Sequence, residues 1–350
     1  MATLLWALFS VNLVCWACDV TFRGLRMTPE QQIGFNRDLT CMTNRGHWVL
    51  DVNHTRPRFQ DRRVCEGCGR YCTEDPPNPA QDFIWQTVPG QCNSTIVPFD
   101  ADKLCAMLAG QSVMLVGDSV QTELGIVLTN MLYENNPTAK CSVCGFMCSV
   151  TNTIECKNGQ SFKLSVYRSD RLDLQLKDYN SWGANFHHRK WLHVLAEQNV
   201  SLLIMNRGAH FENVFTIINH LDKLFEYIFS HHPGISVIWR DSPNPVVDYQ
   251  KQYNSMPLSQ PRTFDDVLHP GDLPYNWYFY KSQNIALREF FYENWNGAVT
   301  YLDVATPMSY RVDSQVDYLH YRIPGLIDTW ATLLYNVLVR AKFYQTGCVL

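Results

Sequence analysis

A hydroxyl nucleophile works with an imidazole base and a carboxylate that orients the base. The chain offers the first in Leu115-Val116-Gly117-Asp118-Ser119, where an apolar run ends and a helical pattern begins at once. A serine at such a strand-to-helix turn projects its hydroxyl into a crevice, and the free amides and positive dipole end of the helix stabilise an oxyanion. Gly117 permits the tight turn. The plainer use of Ser119 is as a helix N-cap without chemistry.

A base and its orienter fit on a single turn as Asp-x-x-His, because residues i and i+3 face the same side. Three such quartets occur, Asp51/His54, Asp266/His269 and Asp317/His320, so spacing alone does not choose among them. Position does. Only Asp317/His320 follows the last expected strand, directly before the terminal helix, where a loop can reach Ser119. The other two pairs read as surface residues, with His269 in a long loop that could touch substrate. Asn206, in Met205-Asn206-Arg207-Gly208-Ala209-His210, can donate its side-chain amide to an oxyanion beside the Ser119 amide. Its plainer use is as a loop cap. His210 reads as a structural histidine more readily than as a catalyst, and the adjacent pairs His187-His188 and His231-His232 read as surface features.

The elements that must position these groups follow from hydrophobic pattern. Short apolar, largely β-branched runs at 112–116, 163–167, 202–205, 235–239 and 298–302 predict five strands. Helical spacing marks Leu124, Val127, Leu128, Met131 and Leu132, and again Leu326, Trp330, Leu333, Leu334, Val337 and Leu338; further helices fit 213–230 and 283–293. Strands alternating with helices build a parallel sheet covered on both faces, with its ligand crevice at the carboxyl ends of the strands. The loop at 241–274, rich in Pro, Ser and Asp, is long enough to read as a lid or substrate loop.

Composition bounds the class of partner. The 350 residues are 46% hydrophobic and 18% charged, against about 25% charged in an average domain, so a sizeable core is available. A net charge of −4 with no basic run argues against nucleic acid as the main partner. Aromatic residues make up 13%, which suits stacking on sugar faces as well as filling a core.

The apolar run at 4–17 ends in Cys15-Trp16-Ala17 and predicts a signal peptide over 1–17, with a membrane anchor as the rival reading. Cleavage there leaves twelve of the 13 cysteines, an even number that argues for disulfides in a secretory chain. Cys65, Cys68 and Cys72 repeat the spacing of Cys141, Cys144 and Cys148, so a zinc knuckle is the alternative to oxidised, metal-free pairs. Asn53, Asn93 and Asn199 head glycosylation triplets. Together these features place the chain in a Golgi lumen or outside the cell. Eleven of the twelve cysteines precede residue 157, and the sheet pattern begins near Leu104, so the mature chain is expected to comprise a Cys-rich segment at 18–103 packed on a catalytic domain at 104–350.

The motifs jointly resemble the SGNH/GDSL esterase superfamily, and within it the PC-esterase branch that includes the trichome-birefringence-like polysaccharide O-acetyltransferases. The resemblance rests on Gly46-His47-Trp48-Val49, Asp82-Phe83-Ile84-Trp85, Cys92, Phe99-Asp100-Ala101, Gly117-Asp118-Ser119, Asn276-Trp277, Leu302-Asp303-Val304 and Ser309-Tyr310-Arg311. Its most specific part is the block from Asp317-Tyr318-Leu319-His320 through Tyr321-Arg322-Ile323-Pro324-Gly325-Leu326 to Ile327-Asp328-Thr329-Trp330. It implies a three-layer α/β/α fold, a catalytic Ser119 with His320 as base and Asp317 as orienter, and Asn206 at the family's oxyanion asparagine. Gly183 is the candidate for the family's oxyanion glycine. Thr122-Glu123 stand where members usually carry Arg-Asn, and Tyr318 and Arg322 where plant members often carry Cys. The implied activity is transfer of an acetyl group to a polysaccharide or oligosaccharide. The resemblance further implies an acetyl donor as co-substrate, with a membrane partner as its source, and no bound cofactor or metal. A carbohydrate acetylesterase with the same triad and a non-catalytic carbohydrate-binding glycoprotein are the alternatives.

Overall fold

Residues 21–22, 24–52, 82–92, 95–133, 150–172, 191–208, 213–245, 259–261, 277–311, 313–323 and 325–347 are described by the computed structural model. In chain order they form α1 (Pro29–Asn44), β1 (Gly46–Leu50), β2 (Phe83–Thr87), α2 (Ala101–Leu108), β3 (Ser112–Gly117), α3 (Ser119–Tyr133), β4 (Val150–Glu155) and β5 (Ser161–Arg168). There follow α4 (Trp191–Glu197), β6 (Leu202–Met205), α5 (Val214–His231), β7 (Ser236–Arg240), α6 (Tyr280–Asn294), β8 (Val299–Leu302) and α7 (Asp328–Thr346).

The five expected strands are β3, β5, β6, β7 and β8, and they are mutually parallel. The sheet has a sixth member, because β4 turns back through Asn158-Gly159 and pairs antiparallel with β5 at the edge. Its order is β4-β5-β3-β6-β7-β8. Counting only the parallel strands in chain order gives 2-1-3-4-5, so the order reverses between β3 and β6. A crevice opens at the carboxyl ends of the strands flanking such a reversal. One row of the sheet runs Tyr167, Val116, Met205, Trp239, Tyr301. The next residues, Arg168, Gly117, Asn206, Arg240 and Leu302, therefore line one carboxyl edge.

Alternation along the strands feeds two cores. Val113, Leu115, Leu202, Ile204 and Ile238 face a core shared with α1, α2, α3 and α7. Met114, Val116, Leu203, Met205, Val237 and Trp239 face the other, under α4, α5 and α6. The result is the three-layer α/β/α architecture. Every residue of α3 is buried, and it lies so near the sheet that a Cβ on Gly125 would come within 2.7 Å of the Val166 methyls.

The segment before the sheet is not a separate body. Phe35, Leu39, Met42, Trp48, Phe83 and Trp85 belong to the same core as Leu115 and Trp330. β1 and β2 form a two-stranded antiparallel hairpin, and Cys41–Cys92 ties α1 to the chain just after it. Cys105–Cys156 ties α2 to the β4–β5 turn. All four described cysteines are thus paired, while the repeated triplets Cys65/Cys68/Cys72 and Cys141/Cys144/Cys148 lie outside the described residues. So does most of the loop at 241–274.

Candidate functional site

At the end of β3 the chain turns sharply into α3. Gly117 is required there: a Cβ would stand 2.6 Å from the Asn206 carbonyl oxygen and 2.9 Å from the Gln121 Cβ. Asp118, not Ser119, caps the helix. Its Oδ1 accepts from Val120 N at 3.0 Å and Gln121 N at 3.3 Å, and its carbonyl accepts from Thr122 N at 3.1 Å. Ser119 is released from capping, and its main-chain N–H remains at the positive end of the helix. Gln121 pins the turn to the sheet by donating to Ile204 O at 3.0 Å while accepting from Arg240 Nε at 2.8 Å.

The loop between β8 and α7 closes over this turn as a small hairpin. Val316 N donates to His320 O at 2.9 Å, Arg322 N to Ser314 O at 2.9 Å, and Gln315 bridges to Tyr321. Leu319, Tyr321 and Ile323 are buried, whereas Tyr318 is exposed. Asp317 makes an Asx turn, accepting from Leu319 N at 2.9 Å and His320 N at 2.8 Å. The same carboxylate lies 3.0 and 2.9 Å from His320 Nδ1, and His320 Nε2 lies 2.8 Å from Ser119 Oγ. Burial pushes the Asp317 carboxyl up. The His320 ring and charge and the His320 and Leu319 amides outweigh that effect and hold it lowered, at about 2.

The three residues singled out in sequence therefore form one hydrogen-bonded chain at the reversal point of the sheet. Asn206 stands beside them at the end of β6, fully buried. Its amide donates to Arg240 O at 3.3 Å and Ser242 Oγ at 3.1 Å, so both of its donors are engaged within the protein. Of the rival pairs, Asp51 is buried in the N-terminal segment, whereas His54, Asp266 and His269 lie outside the described residues, as do Gly183, His210, Asn53 and Asn93. Asn199 is exposed in a turn with φ 48°. It immediately precedes the segment leading into β6, at the amino end of the strands and away from Ser119.

Several buried polar groups around this chain were not singled out in sequence. Arg240 ends β7 fully buried, with Nη1 donating to Asp241 O at 2.6 Å and its guanidinium over the Trp330 ring at 4.9 Å. Asp241 accepts from Val304 N at 2.7 Å and Ala305 N at 3.0 Å, fastening the start of the loop that leads to the triad. Glu123 accepts from Tyr321 N at 3.2 Å. The signal for each was a charge immediately after, or inside, an otherwise apolar run. A cavity of ≈ 1080 Å³ between α1 and α6 is lined by none of Ser119, Asp317 or His320. Among the described residues, no cluster of His, Cys, Asp and Glu could hold a metal ion, and no helix is long and apolar enough to cross a membrane.

"Protein trichome birefringence-like 40" of Arabidopsis thaliana is 24% identical, the match covering 85% of this chain and 87% of that protein. The chain resembles the trichome birefringence-like proteins. The resemblance spans both the N-terminal segment and the sheet domain, as that coverage requires. No protein-family model matches the chain. Among solved structures, the periplasmic domain of a lipopolysaccharide acetyltransferase from Salmonella ser. Paratyphi A aligns with a TM-score of 0.41 and 11% identity. That alignment covers 67% of this chain and 85% of that one.

Proposed function

We propose that the protein is an O-acyltransferase of the secretory lumen that moves an acetyl group onto a polysaccharide hydroxyl through an acyl-Ser119 intermediate. The observation that carries this reading is the continuous chain from Ser119 Oγ through His320 to Asp317 at the carboxyl edge of the sheet. Ser119 Oγ attacks the donor carbonyl while its proton passes to His320 Nε2. The C–O(Ser) bond forms, the bond to the donor's leaving group breaks, and His320 returns the proton to that leaving group. An acceptor hydroxyl then gives its proton to His320 and attacks the acyl-serine, restoring Ser119 as the proton returns to Oγ.

Asp317 holds the imidazole with Nε2 free to accept. The Ser119 N–H serves the tetrahedral oxyanion, and the Asn206 amide becomes the second donor if it releases Ser242 Oγ. The polysaccharide acceptor follows from the trichome-birefringence-like resemblance, with the acetyl donor presented by a membrane partner. The paired cysteines suit an oxidising compartment.

The test is incubation of purified protein with an activated acetyl ester, with and without oligosaccharides, following free acetate and acetylated sugar separately. Acetylated sugar that requires Ser119 supports the transferase. Acetate release unaffected by sugar makes the protein an esterase, and neither product leaves the carbohydrate-binding alternative.

A further inference from the structure

One buried acid near the triad has no part in the steps above. Glu123 lies four residues after Ser119 on α3, hence on the same side of the helix, and is completely buried. Its Oε1 accepts the main-chain N–H of Tyr321, the residue next to His320. Two parallel ties therefore join one turn of α3 to two consecutive residues of the triad loop: Ser119 to the His320 ring, and Glu123 to the Tyr321 backbone. Tyr321 is itself fixed by an edge-on contact with Trp330 at 5.2 Å. The second carboxyl oxygen, Oε2, is buried without a hydrogen bond.

We propose that Glu123 is a positioning residue that sets the distance between His320 and Ser119 by holding the Tyr321 amide. The inference rests on reading Ser119 as the nucleophile. Desolvation dominates at Glu123 and pushes its carboxyl well above the ordinary range; the Tyr321 amide and the Arg240 charge oppose this, while Asp317 and Asp118 add to it. A neutral acid at this point presents one carbonyl-type acceptor to Tyr321, which a glutamine amide reproduces. Aspartate, shorter by one methylene, does not reach, although it keeps the ionisable group.

The experiment measures covalent labelling of the full chain by an organophosphorus ester directed at serine nucleophiles, which needs neither donor nor acceptor. Rate and affinity constants are resolved separately and expressed per folded molecule by circular dichroism. Glu123→Gln should label at close to the wild-type rate. Glu123→Ala and Glu123→Asp should lose on the order of 10²-fold in the rate constant, the cost of a misplacement of about 1 Å, with the affinity constant little changed. Should Glu123→Ala fail to fold, Glu123→Asp carries the comparison. A folded Glu123→Gln as slow as Glu123→Asp, or a folded Glu123→Asp as fast as wild type, overturns the proposal. Failure of the wild type itself to label at Ser119 overturns the nucleophile instead, so the two failures are distinct.

Discussion

Ser119 Oγ and His320 Nε2 stand 2.8 Å apart although 201 positions separate them in the chain. The approach is enforced from both sides. Asp118 caps α3 and frees the serine, while the Asx turn at Asp317 and the buried Leu319 and Tyr321 aim the imidazole. Ser119→Ala deletes one hydroxyl and should leave the melting temperature nearly unchanged, yet reduce acyl transfer by at least ~10³-fold. His320→Ala should do the same. His54→Ala should leave turnover nearly intact, and His269→Ala should at most raise KM. A dead, folded His269→Ala would place the base on the wrong loop.

Asp317 accepts two backbone amides as well as the imidazole, so its replacement separates tautomer control from loop folding. Asp317→Asn can still accept at Leu319 N and His320 N through its carbonyl oxygen. It cannot hold Nδ1–H toward itself as a carboxylate does. The expected result is a folded protein with kcat lowered by roughly 10⁴-fold, as for loss of the orienting acid in comparable triads. A kcat within tenfold of wild type would remove Asp317 from the chemistry.

Two carboxyls near the loop should shape the stability curve in opposite senses. Asp317 is held down at about 2 from 3.8, so the folded state binds its proton less tightly than the unfolded state. Its stabilisation is full above 3.8 and is lost as pH falls through about 2. Asp313 is raised to about 6 because burial outweighs the Arg311 charge. Its contribution is full below 3.8 and is lost as pH rises through about 6. Melting temperatures across pH 2 to 7 should lose the acid slope in Asp317→Asn and the slope between 4 and 6 in Asp313→Asn. Unchanged slopes in these variants would contradict the assignments.

Strands were legible in this sequence to within about two residues, because each is a short apolar run bounded by polar turns, and their carboxyl ends pointed to Ser119 and His320. β4 was missed because an edge strand alternates polar and apolar residues (VTNTIE), although Asn158-Gly159 beyond it is a hairpin signal. α1 was missed because it has few apolar positions. Its start was nevertheless written in the capping box of Thr28 and Gln31 with Pro29 at the first turn. The β1–β2 pairing spans a long insertion that no local pattern reveals. Within the site, residue types and fold position singled out Ser119, His320 and Asp317, which the fold joins by hydrogen bonds, but the partners of Glu123, Arg240 and Asp241 depend on which faces meet in three dimensions. Ser119 read as a possible cap in sequence, whereas in the structure Asp118 takes that role.

The N-terminal hairpin should support the triad loop from behind. Trp48 Nε1 donates to Pro307 O at 3.0 Å, Trp85 packs on Tyr310 with ring centroids 5.7 Å apart, and the Arg311 guanidinium lies over the rings of Phe83 at 4.5 Å and Trp48 at 5.6 Å. These contacts grip 307–311, the stretch that leads into the triad loop. Trp48→Phe keeps a ring beside Arg311 but deletes the indole donor, leaving Pro307 O without it, and should destabilise by about 1–3 kcal/mol. Trp48→Ala also opens a cavity and should cost about 3–5 kcal/mol. Because the hairpin grips the approach to the loop rather than His320 itself, serine labelling per folded molecule should fall less than in Glu123→Asp. Opening Cys41–Cys92, which closes a separation of 51 residues, should loosen the same support and lower stability by up to about 4 kcal/mol. Chemical denaturation of Trp48→Phe, Trp48→Ala and Cys41→Ser/Cys92→Ser provides the check. Wild-type stability in all three would mean that the hairpin packs on the loop without holding it.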